Sequence, residues 1–217
     1  AGCDLASLAG TTPASVICEI LNDDGSMARL PDLIKFSKKH GIKIGTIADL
    51  IEYRSKKEKL IKKISEEEVS TEFGMMKLIV YSDLLSKNTH LAFVKGTIKK
   101  DDEVVVRVHE PLSILDFVSK ETPHSWPPLK ALKKISDEKN GVVIFLNYNE
   151  SQNNITSKLN HENITLKKST DLRSYGIGSQ ILVDIGVSKM KLLAAPRKMP
   201  SMAGYGLQVT EFIENNI

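Results

Sequence analysis

The chain has 217 residues, of which 41% are hydrophobic and 26% charged, with a formal net charge of +3. No apolar run approaches the roughly 20 residues that a membrane-spanning helix needs, and so small a charge does not by itself indicate nucleic-acid binding. Two cysteines, Cys3 and Cys18, are too few for a disulfide framework, and we expect Cys18 to be a buried, reduced thiol. These features favour a cytoplasmic protein.

The first section, residues 1–55, alternates helix and strand signals. In chain order we predict a helix over 4–9, a buried strand over 14–20, a helix from 31 to 41, a buried strand over 42–47 and a helix from 48 to 53 or beyond. The order of strand, helix, strand and helix predicts parallel pairing. Because so few residues leave sheet edges uncovered, and because the chain begins with Ala1, we interpret the section as the end of a larger α/β domain.

Residues 56–67, which are rich in mixed charges, are predicted to be a linker. The second section, residues 68–217, predicts a mixed α/β (α+β) domain. The predicted strands are 68–73, 76–81, 90–94, 104–109, 142–146, 190–194 and 207–212, and the predicted helices are 112–118, 128–136 and 174–183.

Two stretches in the first section carry a family resemblance. Residues 16–31 read VICEILNDDGSMARLP, and residues 40–51 read HGIKIGTIADLI. They resemble the end of 3,4-dihydroxy-2-butanone-4-phosphate synthase. Residues 1–55 are therefore interpreted as the C-terminal part of such a synthase domain.

Three stretches in the second section carry another resemblance. Residues 171–182 read DLRSYGIGSQIL, and they are followed by PRK at 196–198 and GYGL at 204–207. They resemble the end of GTP cyclohydrolase II, and weaker similarity extends back through VRVH at 106–109. In this order the two modules resemble the fused riboflavin-biosynthesis proteins of bacteria.

The resemblance implies two activities. The synthase family converts ribulose 5-phosphate to a four-carbon phosphate and formate with Mg²⁺, and its Mg²⁺-binding elements fall before Ala1. Glu19 matches an active-site position of that family, where a Glu serves acid–base chemistry. The alternative is a Glu at the end of a strand that points at solvent. We expect no synthase activity from these 217 residues alone, and Mg²⁺ chemistry only in a longer protein.

The cyclohydrolase family opens the imidazole ring of GTP with zinc held by three cysteines, which leave one position open for the attacking water. The family's Cys-x10-Cys-x-Cys pattern would follow residues 107–109, and residues 109–126 contain no cysteine. Four other side chains lie in this segment without a recognisable ligand spacing: His109, Asp116, Glu121 and His124. We expect no bound zinc, and packed or solvated histidines.

Other parts of the implied GTP site are weakened. Residues 147–154 read NYNESQNN and contain no arginine to pair with phosphate, and Ala194-Ala195 replaces the family's Thr-Asn-Asn. The resemblance assigns acid–base and nucleophile-type roles to Asp171 and Arg173, and nucleotide contacts to three further residues: Arg107, His109 and Lys198. The alternative is that Asp171 caps a helix and Arg173 pairs on its surface. The glycine pair at 176 and 178 favours close helix packing.

The sequence thus predicts a synthase-type parent protein whose cyclohydrolase-like tail is inactive. An alternative is that the tail is a non-catalytic dimerisation or regulatory module that still binds a nucleotide. An active GTP cyclohydrolase II with unconventional metal ligands is a less favoured alternative. By resemblance we expect a homodimer, with no nucleic-acid or membrane partner.

Overall fold

The computed structural model describes residues 1–110, 115–118, 126–147, 168–197, 199 and 202–215. The side chains of residues 55, 56, 115, 118 and 168–175 lie outside this description as well. The chain divides into two compact units, Ala1–Arg54 and Ser55–Ile217. None of the described helices is long and apolar enough to cross a membrane.

The first unit consists of helices joined by irregular segments. Its helices are α1 (Gly2–Leu8), α2 (Leu30–His40) and α3 (Ile47–Lys57), the last of which continues into the first residues of the second unit. Helix α2 ends as predicted, because Gly41 adopts a left-handed conformation with φ of 65° and donates its N–H to the Ser37 carbonyl. Arg54 on α3 forms an ion pair of 2.7 Å with Asp4 on α1.

The two buried strands predicted in this unit are absent from it. Residues 14–20 and 42–46 are irregular, and Val16 and Ile17 are 101% and 85% exposed. A strand needs a neighbour for its backbone hydrogen bonds, and the unit contains only one isolated bridge, between Leu21 and Met27. The predictions of buried strands, of their parallel pairing and of a buried Cys18 are therefore wrong for this unit, and the Cys18 thiol is exposed.

The second unit is built on a seven-stranded mixed sheet. Its strands are β1 (Ile61–Thr71), β2 (Gly74–Asp83), β3 (Thr89–Lys95), β4 (Glu103–His109), β5 (Gly141–Phe145), β6 (Lys189–Leu193) and β7 (Gln208–Ile213). The spatial order is β1-β2-β3-β5-β4-β6-β7. Strands β1, β2, β3 and β5 pair antiparallel, whereas β5, β4, β6 and β7 pair parallel.

Strand β1 begins inside the segment that was predicted to be a linker. From Ile61 onward the residues pair with β2, starting opposite Asp83, so the prediction of a linker over 56–67 is wrong from Ile61. The charged residues that suggested a linker lie on an exposed edge strand, where charge discourages pairing with another chain.

Helices cover both faces of the sheet. Helix α6 (Lys168–Ile185) packs on one face and α5 (Pro128–Ser136) on the other, and the short helix α4 (Leu115–Val118) precedes α5. Successive side chains of strand β4 lie on opposite faces of the sheet and contribute to the hydrophobic core on each face. Val104 and Val106 face α6, while Val105 faces α5. The mixed α/β fold predicted for this section is confirmed.

Candidate functional site

A crevice opens between β4 and β6 at their carboxyl ends. Their pairing stops at Val106 and Leu192. After β4 the chain passes to the face covered by α5, whereas after β6 it returns along the face of α6 through a 3-10 helix, Met202–Tyr205. In open α/β sheets, adjacent parallel strands whose connections leave in opposite directions create a ligand-binding crevice outside their carboxyl ends. The topology therefore places a candidate site here.

A cavity of about 150 Å³ occupies this crevice. Among the described residues, four of those lining it are polar or charged: Arg107, Glu110, Ser179 and Arg197. The rest are Gly178 and seven apolar residues: Val108, Leu182, Met190, Leu192, Ala194, Met199 and Met202. The cavity thus combines two guanidinium groups with seven apolar residues, and polar and apolar atoms share its surface about equally.

Arg107 is the most deeply placed charge of the cavity. Its side chain is 7% exposed, and Nη1 donates a 2.8 Å hydrogen bond to the Leu193 carbonyl. The Nε atom is buried and has no hydrogen-bond partner among the described residues. Burial, and then the neighbouring charge of Arg197, lower the pKa of Arg107 to about 10, while Asp116 acts in the opposite direction. The guanidinium is therefore still a cation at neutral pH.

His109 lies two residues further along β4 and contacts a different group. Its Nε2 lies 3.0 Å from Oδ2 of Asp116 on α4, and the side chains are 0% and 5% exposed. The ring also packs edge-on against Phe145, with the centroids 6.0 Å apart. His109 does not line the cavity. It is a packed histidine held by a carboxylate.

The two glycines of α6 allow the helix to approach its neighbours. A Cβ at Gly178 would lie 3.3 Å from Cγ1 of Val108, and one at Gly176 would lie 3.1 Å from the hydroxyl of Tyr205. Both distances are tighter than ordinary contacts, so the prediction of close helix packing is confirmed. Gly178 also lines the cavity, where the close approach of helix and strand forms its wall.

The other residues predicted for the sites are spread over both units. Glu19 lies exposed in an irregular segment of the first unit. Asp171 and Arg173 lie on α6, with their side chains outside the described part. Lys198 is outside the described residues altogether, as are His124 and Glu121. Of the two predicted nucleotide contacts that the structure describes, Arg107 lies at the cavity and His109 does not.

The residues present do not fit the zinc site that the resemblance implies. No cysteine follows Cys18 anywhere in the sequence. Within the described ranges, no three side chains of His, Cys, Asp or Glu come together as a metal site would require. His109 and Asp116 supply two donors at most, and these two face each other.

Sequence reasoning missed most of the cavity. Ser179 follows the glycine pair on α6 without any distinguishing pattern, and the methionines of the wall come from two different segments, β6 and the turn after it. Arg197 carried a weak signal, because it stands beside the position expected to bind nucleotide. The three-dimensional approach of β4, β6 and α6 creates this site.

Comparison with known proteins decides the family. The model of the family described as GTP cyclohydrolase II matches residues 62–214. The chain belongs to the GTP cyclohydrolase II family. The model of 3,4-dihydroxy-2-butanone 4-phosphate synthase matches residues 1–53, ahead of the cyclohydrolase-type module. Modules of these two families are thus fused in this chain.

Named relatives share this arrangement. A protein of Neisseria meningitidis serogroup B named 3,4-dihydroxy-2-butanone 4-phosphate synthase is 47% identical over 214 residues, which cover 99% of this chain and 59% of that protein. A Photobacterium phosphoreum protein of the same name is 42% identical, with 98% and 60% covered. The riboflavin biosynthesis protein RibBA of Aquifex aeolicus is 42% identical, with 97% and 56% covered.

A solved structure also matches the fused chain. It is RibBX, a two-domain 3,4-dihydroxy-2-butanone 4-phosphate synthase from A. baumannii, with a TM-score of 0.62 and 36% identity, covering 99% of this chain and 58% of that one. The chain therefore spans about 60% of the length of the relatives it matches.

Proposed function

We propose that the cyclohydrolase-type module, residues 62–214, does not hydrolyse GTP, and that the activity of the whole protein is that of the synthase. The observation that carries this proposal is the absence of any cysteine after Cys18. A catalytic zinc lowers the pKa of its bound water to about 7 and so supplies hydroxide at neutral pH. Without thiolate ligands the module has no means of holding that zinc in the way its family does.

The remaining site residues do not replace this function. Asp171 and Arg173 occupy positions of the family's acid–base and nucleophile-type pair, yet their chemistry depends on an activated water. Arg107 lines a cavity of about 150 Å³, whereas ligand pockets for drug-sized molecules measure about 300–1,000 Å³. A GTP molecule with its triphosphate exceeds such a space.

The names of the relatives support the same reading. The proteins from Neisseria and Photobacterium align with 99% and 98% of this chain, and hence with the cyclohydrolase-type module, while being named for the synthase alone. The solved relative is likewise titled a two-domain synthase. We extend that activity to the protein that contains this chain. Its substrate would be ribulose 5-phosphate, its metal Mg²⁺, and Glu19 one of its acid–base groups.

The second candidate function assigns the module a supporting role. In this view it is a dimerisation or regulatory module of a cytoplasmic homodimer that retains a binding site. The cavity with Arg107 favours this candidate, since a cavity with a buried cation persists where the cysteines that would hold the catalytic metal do not.

The decisive experiment is an assay of GTP consumption by the 217-residue chain with and without added Zn²⁺, beside an active GTP cyclohydrolase II. We expect no turnover above the protein-free blank in either condition. Zinc-dependent turnover that disappears in Asp171→Asn would refute the proposal. For the synthase, a longer protein that includes the preceding segment should release formate from ribulose 5-phosphate with Mg²⁺, and Glu19→Gln should abolish this release.

A further inference from the structure

The cavity between β4 and β6 has features of a ligand site that do not depend on a catalytic metal. The Arg107 side chain is buried, with 7% of its surface exposed. Its Nη1 donates a hydrogen bond to the Leu193 carbonyl, whereas its Nε has no acceptor among the described residues. A buried guanidinium with an unused donor is costly unless an anion or another acceptor completes it. The Arg107 side chain is therefore built to receive an acceptor.

Charge in the cavity points in the same direction. Arg197 also lines the cavity, and its positive charge repels that of Arg107. The burial of Arg107 adds to the free energy that keeping it charged costs. Asp116 offsets part of this repulsion, and Glu110 lines the same cavity. An anionic ligand on Arg107 would offset the repulsion from Arg197, whose side chain is exposed, and a fork of N–H donors suits carboxylate or phosphate oxygens.

The rest of the wall limits what that anion can be attached to. Seven of the lining residues are apolar, and three of these are methionines from β6 and the segment after it: Met190, Met199 and Met202. Methionine side chains adapt to the shape of apolar and aromatic groups. An apolar group of the ligand would therefore pack against the side of the cavity that these methionines form.

The volume limits the size of the ligand. A cavity of about 150 Å³ is of the size that binds one benzene molecule in an engineered protein core. A single ring or a chain of four or five carbons fills it.

From these observations we infer that the cavity binds a small organic anion, with a carboxylate or phosphate head on Arg107 and an apolar body of about one ring against the methionine wall. This inference rests on the proposed function, because a module that hydrolysed GTP would use the same crevice for the nucleotide. It specifies the ligand of the regulatory module, the second candidate function, as an anion with one ring or a short carbon chain.

The test is calorimetry and melting of the 217-residue chain with five compounds that separate the two parts of the ligand. Benzoate and phenyl phosphate carry head and body, inorganic phosphate carries the head alone, benzyl alcohol carries the body alone, and GTP exceeds the volume. We expect benzoate or phenyl phosphate to bind with a dissociation constant of about 1 mM or below. The other three should bind at least about tenfold more weakly, because each lacks one part of the match or does not fit.

Two variants locate the binding. Arg107→Met removes the cation and should weaken binding at least about tenfold. Ala194→Leu keeps Arg107 but adds carbon atoms to the cavity wall, and should weaken binding to a similar extent. Arg29→Met, which removes an arginine from the first unit, is the matched control and should bind as the unaltered chain does. Circular dichroism establishes that each variant is folded.

The inference is overturned if neither benzoate nor phenyl phosphate binds, if Arg107→Met and Ala194→Leu both bind as the unaltered chain does, or if GTP binds as tightly as phenyl phosphate. Failure of the proposed function is a separate result, namely zinc-dependent GTP turnover. If the chain neither binds these compounds nor hydrolyses GTP, the inference is wrong while the proposed function stands.

Discussion

His109 Nε2 and Asp116 Oδ2 lie 3.0 Å apart, with both side chains withdrawn from solvent. This pair joins the end of strand β4 to helix α4, at the place where the family's zinc site would begin. The carboxylate and the imidazole face each other, so their contact is a structural tie between strand and helix. Asp116 also offsets part of the charge of Arg107.

Removal of this carboxylate should destabilise the second unit. Asp116→Ala leaves the buried imidazole of His109 without the acceptor that faces it, which should lower the free energy of unfolding by about 1–3 kcal/mol. Urea denaturation followed by circular dichroism measures the change. Asp101→Ala, at an exposed turn position, is the control and should leave the free energy of unfolding almost unchanged. Equal stability of the two variants would contradict a structural role for the pair.

A second prediction concerns the contact between β5 and α5. A Cβ on Gly141 would lie 2.5 Å from Cβ of Ile135 and 3.2 Å from its Cα, so the helix backbone would have to move away from the sheet. Gly141→Ala should therefore lower the free energy of unfolding by about 1–3 kcal/mol. Gly45→Ala places a methyl group in open space and serves as the matched control. If the melting temperatures of the two variants agree, the close packing of α5 on β5 is incorrect.

A third prediction concerns pH. Glu66 on β1 forms ion pairs with Lys77 at 2.6 Å and Lys63 at 2.9 Å. Hydrogen bonds from Lys77 and Lys63 lower the pKa of Glu66 from 4.5 to about 2. Because the folded state holds the lower pKa, the stabilisation is present above pH 4.5 and is lost as pH falls through about 2.

The corresponding variant is Glu66→Gln. Its melting temperature should lie below that of the unaltered chain at pH 6, and the gap should close as pH falls from about 4.5 to about 2. The gap should also shrink in high salt, since the pair is partly exposed. Glu67→Gln on the same strand is the control. A gap that stays constant over this pH range would rule out the ion pairs as its origin.

Much of the second unit could be predicted from the sequence because its signals are local. The helix over residues 128–136 was predicted with the bounds it has, since Pro128 at the start and the apolar face of α5 mark it. Stretches rich in apolar and β-forming residues likewise located β2 to β7 to within about two residues at each end. The order of the strands and the divergence of β4 from β6 depend on contacts distant in sequence, so periodicity could not reveal the cavity.

The predictions of buried strands in the first unit failed for a different reason. Residues 14–20 have the apolar, β-branched composition of a buried strand. Composition indicates which conformation a segment favours, but it does not show whether a neighbouring strand is present to pair with it. In the described chain nothing hydrogen-bonds along Val16 and Ile17, and these side chains are exposed. The charged residues of 61–67 led to the opposite error, because a segment predicted to be a linker is an exposed edge strand.

The candidate site divides in the same way. The lack of cysteine after Cys18 can be seen in the sequence, and the expectation of no bound zinc follows from it without the structure. His109 ends strand β4 and Asp116 lies on the short helix α4, and sequence analysis named the two residues only as unconnected candidates. Arg107 was named for nucleotide contact, and its burial against the Leu193 carbonyl became visible only in three dimensions.

The zinc content of the purified 217-residue chain, measured by mass spectrometry after dialysis against Zn²⁺ and then against metal-free buffer, tests the central claim most directly. We predict far less than one zinc per chain, because thiolate ligands are missing and two facing donors do not form a site. One zinc per chain, lost in His109→Ala, would contradict the account of a module without its catalytic metal.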